Sequence, residues 1–338
     1  MSLPITAEAA AGLYPSELRY EPRTISGFRP VTEPHLALHL GVLQYIVLEQ
    51  NRHPSGNYCL IADWHATTNW FSRPKMRQAT LNTSAALLAL GVNPYRTLLF
   101  AQSHVAGLGE MAWLLSCMTP ASLLLRNPAP PNPGLNKDNI GVVLYPVLMA
   151  ADVLSLRGTK LVVPRDQILN SRKVRQIALA ANRMLGAPVF PVPQPVVRGG
   201  GVPGIDGARM DLERGNHIPI FLDLRELRQC VQRIHTDSRG PREPDTCTVF
   251  RLYSMVASEE RVREMRDRYL SGRIQAVDAK AELALALAEA YAPARERYQE
   301  WLTRPDDIRD VLRAGAQAVS SEVAATLAQV REKLGLAL

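Results

Sequence analysis

Short apolar runs and amphipathic stretches alternate along the first two-thirds of the chain. Tyr58–Ala62 reads as a buried strand, followed by a turn region over His65–Asn69. Apolar spacing from Lys75 to Leu90 predicts a helix, stopped by Gly91 and Pro94. Thr97–Phe100 is a second strand, Gly109–Cys117 another helix, Lys160–Val163 a third strand, and Ser171–Leu185 a helix closed by Gly186. Strands alternating with helices predict a parallel sheet with crossover helices, the doubly wound α/β class. Asn127–Asn136, rich in Pro and Asn, reads as a loop, and Val192–Gly207, with three consecutive glycines at 199–201, as a mobile one. Beyond about residue 222 the pattern turns helical. Asp278–Trp301 is rich in Ala, Leu and Glu, and Ile308–Leu334 keeps apolar residues at three- and four-residue spacing, which predicts a second, helical domain. Residues 1–21 lack periodicity and read as an extension.

Composition narrows this picture only a little. Of 338 residues 46% are hydrophobic, which excludes a mainly disordered chain. The formal net charge of +7 favours a polyanionic partner without identifying one. Cys59, Cys117, Cys230 and Cys247 are scattered, with no zinc spacing, and read as reduced thiols. No signal-like or membrane-spanning run is present, so the expected location is the cytoplasm.

Motifs in a fixed order carry more. Ser26-Gly27-Phe28-Arg29-Pro30 leads into His35-Leu36-Ala37-Leu38 and Gly41. Then come Ile61-Ala62-Asp63-Trp64-His65-Ala66, Phe100-Ala101-Gln102-Ser103 and Trp113-Leu114-Leu115. Tyr145-Pro146-Val147-Leu148-Met149-Ala150-Ala151-Asp152 and Asp166-Gln167 follow, and Thr236-Asp237-Ser238, Leu252-Tyr253-Ser254 and Arg297-Tyr298 continue the series. Over roughly residues 22–336 this series resembles bacterial tryptophanyl-tRNA synthetases, class I aminoacyl-tRNA synthetases with a Rossmann-like domain and a C-terminal helical domain.

The resemblance implies an extension at 1–21 and a catalytic-type domain with a dimerising insertion at 22–208. It implies a mobile signature loop at 209–221 and an anticodon-binding-like helical domain at 222–338. It also implies L-tryptophan, ATP with Mg2+ and tRNA as ligands, and a homodimer. Asp152 would accept the indole N–H, Tyr145 and Gln167 would hold the amino-acid head group, and Met149, Val153 and Val163 would wall the slot. Asp152 sits in an apolar run where a charge needs a partner, so the other reading is a helix-interior Asp paired with a nearby Arg. For Met149, Val153 and Val163 plain core packing is an equal reading.

The nucleotide side departs from the family. Its first signature, P-x-x-x-H-[IL]-G-[HN], places donors on the phosphates and uses its glycine to let adenine lie flat. Here His35 is kept, Ala37 replaces the glycine and Leu38 removes the second donor. A preorganised donor to developing charge contributes about 3–4 kcal/mol. The second signature, K-M-S-K-S, is represented by Arg209-Met210-Asp211-Leu212-Glu213, followed by Arg214, Gly215 and Asn216. Asp211 and Glu213 would repel phosphates. Arg29, His35, Ala37, Leu38, Asp206, Arg209 and Met210 would form a weakened ATP site, with His35 and Arg209 as the catalytic pair, and Arg214 could lend a further charge. Arg165 stands beside Asp166 where the family has Glu. Two functions remain open: a tryptophan- and tRNA-binding protein with activation impaired or lost, and a working tryptophan–tRNA ligase with atypical signatures. Arg261, Arg263, Arg266 and Arg268, with Arg239, Arg242 and Arg251 nearby, are the candidate RNA contacts; a solvated helix face is the alternative.

Overall fold

A computed structural model describes residues 21–68, 73–126, 139–198, 201–212, 214–236 and 243–336. The loop expected at 127–136, most of the extension at 1–21, Glu213, Arg239 and Arg242 lie outside them.

Five parallel strands form one sheet: β1 (Thr24–Phe28), β2 (Asn57–Ile61), β3 (Thr97–Ala101), β4 (Lys160–Pro164) and β5 (Gln194–Arg198), in the order β3-β2-β1-β4-β5. Chain order reverses between β1 and β4, and in open parallel sheets that crevice, at the carboxyl ends of the strands, is where ligands bind. β2, β3 and β4 match the apolar runs. β1 and β5 were not anticipated, and β5 falls inside the segment expected to be a mobile loop. It is an edge strand, where the missing N–H of Pro195 is tolerated.

The sheet is flanked by α1 (residues 36–52, π-helical over His39–Leu43), α2 (Arg73–Ala89), α3 (Leu108–Met118), α4 (Ile140–Leu154) and α5 (Ile168–Leu185). α5 ends at Gly186, whose φ of 62° is the left-handed conformation that glycine adopts freely. The helical remainder comprises α6 (Leu224–Gln232), α7 (Thr248–Tyr253), α8 (Glu259–Leu270), α9 (Ala276–Thr303) and α10 (Pro305–Lys333). Phe250, Tyr253, Tyr269, Leu283 and Leu287 form its core together with Leu36 of α1 and Met210.

The last helix leaves that bundle. Ala316, Val319, Val323 and Leu327 of α10 join the core beside the sheet, and a β-carbon on Gly315 would lie 2.1 Å from the Leu99 carbonyl oxygen. α10 therefore lies against the backbone of β3, the other edge strand. Arg23 and Tyr58 fasten it further through Glu322. No helix among the described residues is long and apolar enough to cross a membrane.

Candidate functional site

One deep cavity opens at the β1/β4 crevice. It is lined by Arg29, His35, Ala37 and Leu38 from the turn after β1 and the start of α1, and by Tyr145, Met149, Asp152 and Val153 from α4. Val163, Asp166 and Gln167 come from the end of β4, and Arg209, Met210, Asp211 and Leu212 from the signature loop. Tyr145, Met149 and Asp152 stand at i, i+4 and i+7, which puts them on one helical face. Of the described residues singled out for the site, Asp206 and Arg214 are absent from the lining.

Asp152 is 4% exposed and pairs with no arginine among the described residues. Gln102, just past β3, donates its amide to both carboxylate oxygens at 2.7 and 3.0 Å. His65, just past β2, places Nε2 3.1 Å from Oδ2. Neither partner was foreseen, although both lie in the matched motifs at strand ends. Burial raises the Asp152 pKa, while the His65 and Gln102 bonds oppose that shift. A carboxylate offers about four lone-pair sites, so this cradle leaves it acceptor capacity toward the cavity. The His65 ring lies 4.2 Å from that of Tyr145, whose own pKa burial raises, keeping the phenol a donor at neutral pH. Gln167 is held by donation to Asp166 at 3.3 Å and by the Asn170 amide at 2.8 Å.

The opposite end differs in chemistry. His35 is buried, its Nδ1 has no hydrogen-bond partner among the described residues, and burial followed by the nearby His217 lowers its pKa to about 4. It is a neutral imidazole at pH 7, able to donate a hydrogen bond but carrying no charge. Ala37, Leu38 and Leu212 add apolar surface around it, and Asp211 adds a carboxylate. Arg209 makes an ion-pair contact with Asp166 at 2.8 Å.

The signature loop is tied down by buried Asn216. Its Oδ1 accepts from Asp211 N at 2.7 Å, and its amide donates to Asp206 at 2.8 Å and to the Arg209 carbonyl at 2.9 Å. Asp206 thus braces the loop from outside the cavity. Backbone bonds Leu36 N to Ile218 O and Ile220 N to Pro34 O, both 3.1 Å, stitch the loop's exit to the first signature. Exposed Arg214 does not line the cavity. Among the described residues no group of three or more His, Cys, Asp or Glu could hold a metal ion. On α8, Arg261 pairs with Glu289, Arg266 with Asp245 and Arg268 with Glu282, so three of the four candidate RNA contacts on this helix are already paired within the chain.

Residues 18–292 match the family model for tRNA synthetases class I (W and Y). The chain is 33% identical to the tryptophan–tRNA ligase of Pseudomonas aeruginosa, over 93% of this chain and 74% of that one. Identity is also 33% to the ligase of Rhodopirellula baltica, over 93% and 99%. Among solved structures it is similar to the tryptophanyl-tRNA synthetase of Campylobacter jejuni complexed with ADP and tryptophan. The TM-score there is 0.83 and the identity 30%, over 93% of this chain and all of that one. With the family model spanning most of its length and relatives of this similarity, the chain belongs to the class I tRNA synthetases (W and Y) and is tryptophanyl-tRNA synthetase-like.

Proposed function

We propose that this chain binds L-tryptophan in the β1/β4 cavity and that its ATP-dependent activation is impaired or lost. The observation that carries the reading is the contrast between the cavity's two ends. At one end Asp152 is cradled by Gln102 and His65 with acceptor capacity to spare, beside Tyr145, Met149 and Gln167. At the other, the places where a triphosphate needs cations carry Leu38, Asp211 and Leu212 around a neutral His35. The residues present therefore suit an indole amino acid and do not suit the phosphates of ATP. With no cluster among the described residues to hold it, Mg2+ would depend on those phosphates. A working tryptophan–tRNA ligase remains the second reading, favoured by Arg209, which lines the cavity together with His35.

Residues 22–208 would carry the ligand site, 209–221 the signature loop and 222–338 the tRNA-facing helices. The name of the relatives supports tRNA as a partner. Exposed apolar side chains on adjoining helices, Trp113 at 69% and Ile140 at 68%, suit a homodimer. A cytoplasmic location is the corresponding expectation.

Two measurements together test the main reading. Calorimetry should show tryptophan binding with discrimination against phenylalanine. ATP–pyrophosphate exchange with tryptophan should be absent or far below that of an intact relative. No heat with millimolar tryptophan would remove the ligand, and exchange at the rate of an intact relative would establish the ligase.

A further inference from the structure

The turn that follows α4 has its residue types exchanged. Arg157 holds the left-handed conformation, with φ 51°, that glycine adopts freely, whereas the next residue, Gly158, has no positive φ. Backbone freedom therefore gives no reason for a glycine at 158. Space does. A β-carbon on Gly158 would lie 2.6 Å from Ile25 Cδ1, 2.9 Å from Val153 Cγ1 and 3.1 Å from the Val153 carbonyl oxygen. Ile25 of β1 and Val153 of α4, the chain neighbour of Asp152, both wall the β1/β4 cavity. Gly158 stands behind them and is not part of the lining.

The backbone at 158 cannot retreat from these side chains. Gly158 N donates to the Val153 carbonyl at 2.9 Å, and Thr159 N and Lys160 N donate to the Arg23 carbonyl at 3.0 and 2.9 Å. Arg23 in turn donates its guanidinium to the Leu156 carbonyl at 2.9 Å. The segment is thus pinned between the end of α4 and the start of β1, and a methyl group added at 158 must be absorbed by Ile25 and Val153. Both are fully buried in the core beside the sheet. Interiors are close-packed and leave side chains little room to move. The open space that these two border is the cavity, so displacement carries them into it.

We propose that Gly158 sets the depth of the amino-acid slot and is thereby a specificity-determining residue. Lacking a β-carbon, it lets Ile25 and Val153 stand back far enough for a bicyclic indole, which reaches deeper than a phenyl ring. It is a positioning residue, acting through those two side chains without touching the ligand. Ring polarity and ring size are then read separately, the first by Asp152 and the second by Gly158. The inference rests on the tryptophan reading proposed above.

The test is calorimetry on the full chain with L-tryptophan, L-phenylalanine and tryptophans methylated at each carbon of the benzo ring. Gly158→Ala should weaken tryptophan by about tenfold or more, the scale of an overpacked contact, and leave phenylalanine unchanged. Ile25→Val deletes Cδ1, the atom nearest the new methyl group, so Gly158→Ala combined with Ile25→Val should recover most of the lost tryptophan affinity. Ile25→Val alone deepens the slot and should raise the affinity for at least one ring-methylated tryptophan relative to tryptophan. Equal losses of tryptophan and phenylalanine in Gly158→Ala, or a loss that Ile25→Val does not recover, would make Gly158 a packing residue only and overturn the proposal. Unchanged ratios for every ring-methylated tryptophan in Ile25→Val would overturn it too, even where Gly158→Ala does not fold. No tryptophan heat from the parent would fail the ligand reading and this inference with it. A parent that binds tryptophan while Gly158→Ala binds it equally well would remove the depth role alone.

Discussion

Asp152→Asn is the most informative single change, because its two effects have separate causes. The substitution keeps volume and removes one of the carboxylate's two acceptor oxygens. In the parent, that carboxylate receives the Gln102 amide at 2.7 and 3.0 Å and His65 Nε2 at 3.1 Å. The new amide must turn an N–H toward one of these donors. Rotating Gln102 to compensate would sacrifice the contact from His65 N to Gln102 Oε1 at 3.4 Å. One buried donor is left unpaired, at a cost of about 1–3 kcal/mol. A lower urea midpoint with an unchanged slope should report that cost. Losing the charged acceptor for the indole N–H should weaken tryptophan by about 10- to 150-fold, the range of a charged hydrogen bond, and phenylalanine hardly at all. Asp152→Ala should abolish the preference for tryptophan. A folded Asn variant with parental tryptophan affinity would refute Asp152 as the indole acceptor, and an unchanged urea midpoint would show that the buried bonds carry no net energy.

Reverting the signatures with Ala37→Gly, Leu38→Asn, Asp211→Ser, Leu212→Lys and Glu213→Ser should raise pyrophosphate exchange. Each recovered donor is worth about 3–4 kcal/mol, without additivity; a folded, tryptophan-binding revertant with no exchange would place the defect elsewhere. His35 titrates near 4 when folded and 6.5 when unfolded, so the unfolded chain takes up its proton first as pH falls. Stability is then full above about pH 6.5 and declines by about 3 kcal/mol toward pH 4. Urea midpoints across that range should flatten in His35→Asn, and parallel curves would contradict the argument. In Gly315→Ala the new methyl meets the Leu99 carbonyl oxygen at 2.1 Å, so a loss of more than about 2 kcal/mol is expected in urea melts. tRNA binding in gel shifts should fall steeply with salt, and Arg263→Ala should weaken it more than Arg266→Ala, whose guanidinium is already held by Asp245.

The sheet was legible where strands are continuous apolar runs, as in β2, β3 and β4. β1 mixes Thr, Ser and Gly, and β5 carries Gln, Pro and Arg, so neither stands out from its flanks. The periodicity of α10 revealed a helix but not its partner, since an apolar stripe looks the same against a helix or a sheet edge. Residues of the cavity came largely from the family resemblance. The cradle around Asp152 did not, because Gln102 and His65 lie 50 and 87 residues away and join it only through the sheet. Charge pairing was equally hidden: the arginines of α8 read alike in sequence, and only the fold gives most of them carboxylates.

The placement of α10 has a temporal consequence. β3, with the sequence Thr-Leu-Leu-Phe-Ala, is an uncharged apolar edge, and the helix that covers it is made roughly 200 residues later. At about 5–20 residues per second, a growing chain carries that edge uncovered for some 10–40 s. Unpaired apolar edges recruit other strands, so synthesis is the period of greatest hazard for this protein. Chaperone demand should track the arrival of residues 305–333, and removing this helix should yield aggregates in the cell rather than a trimmed, working domain.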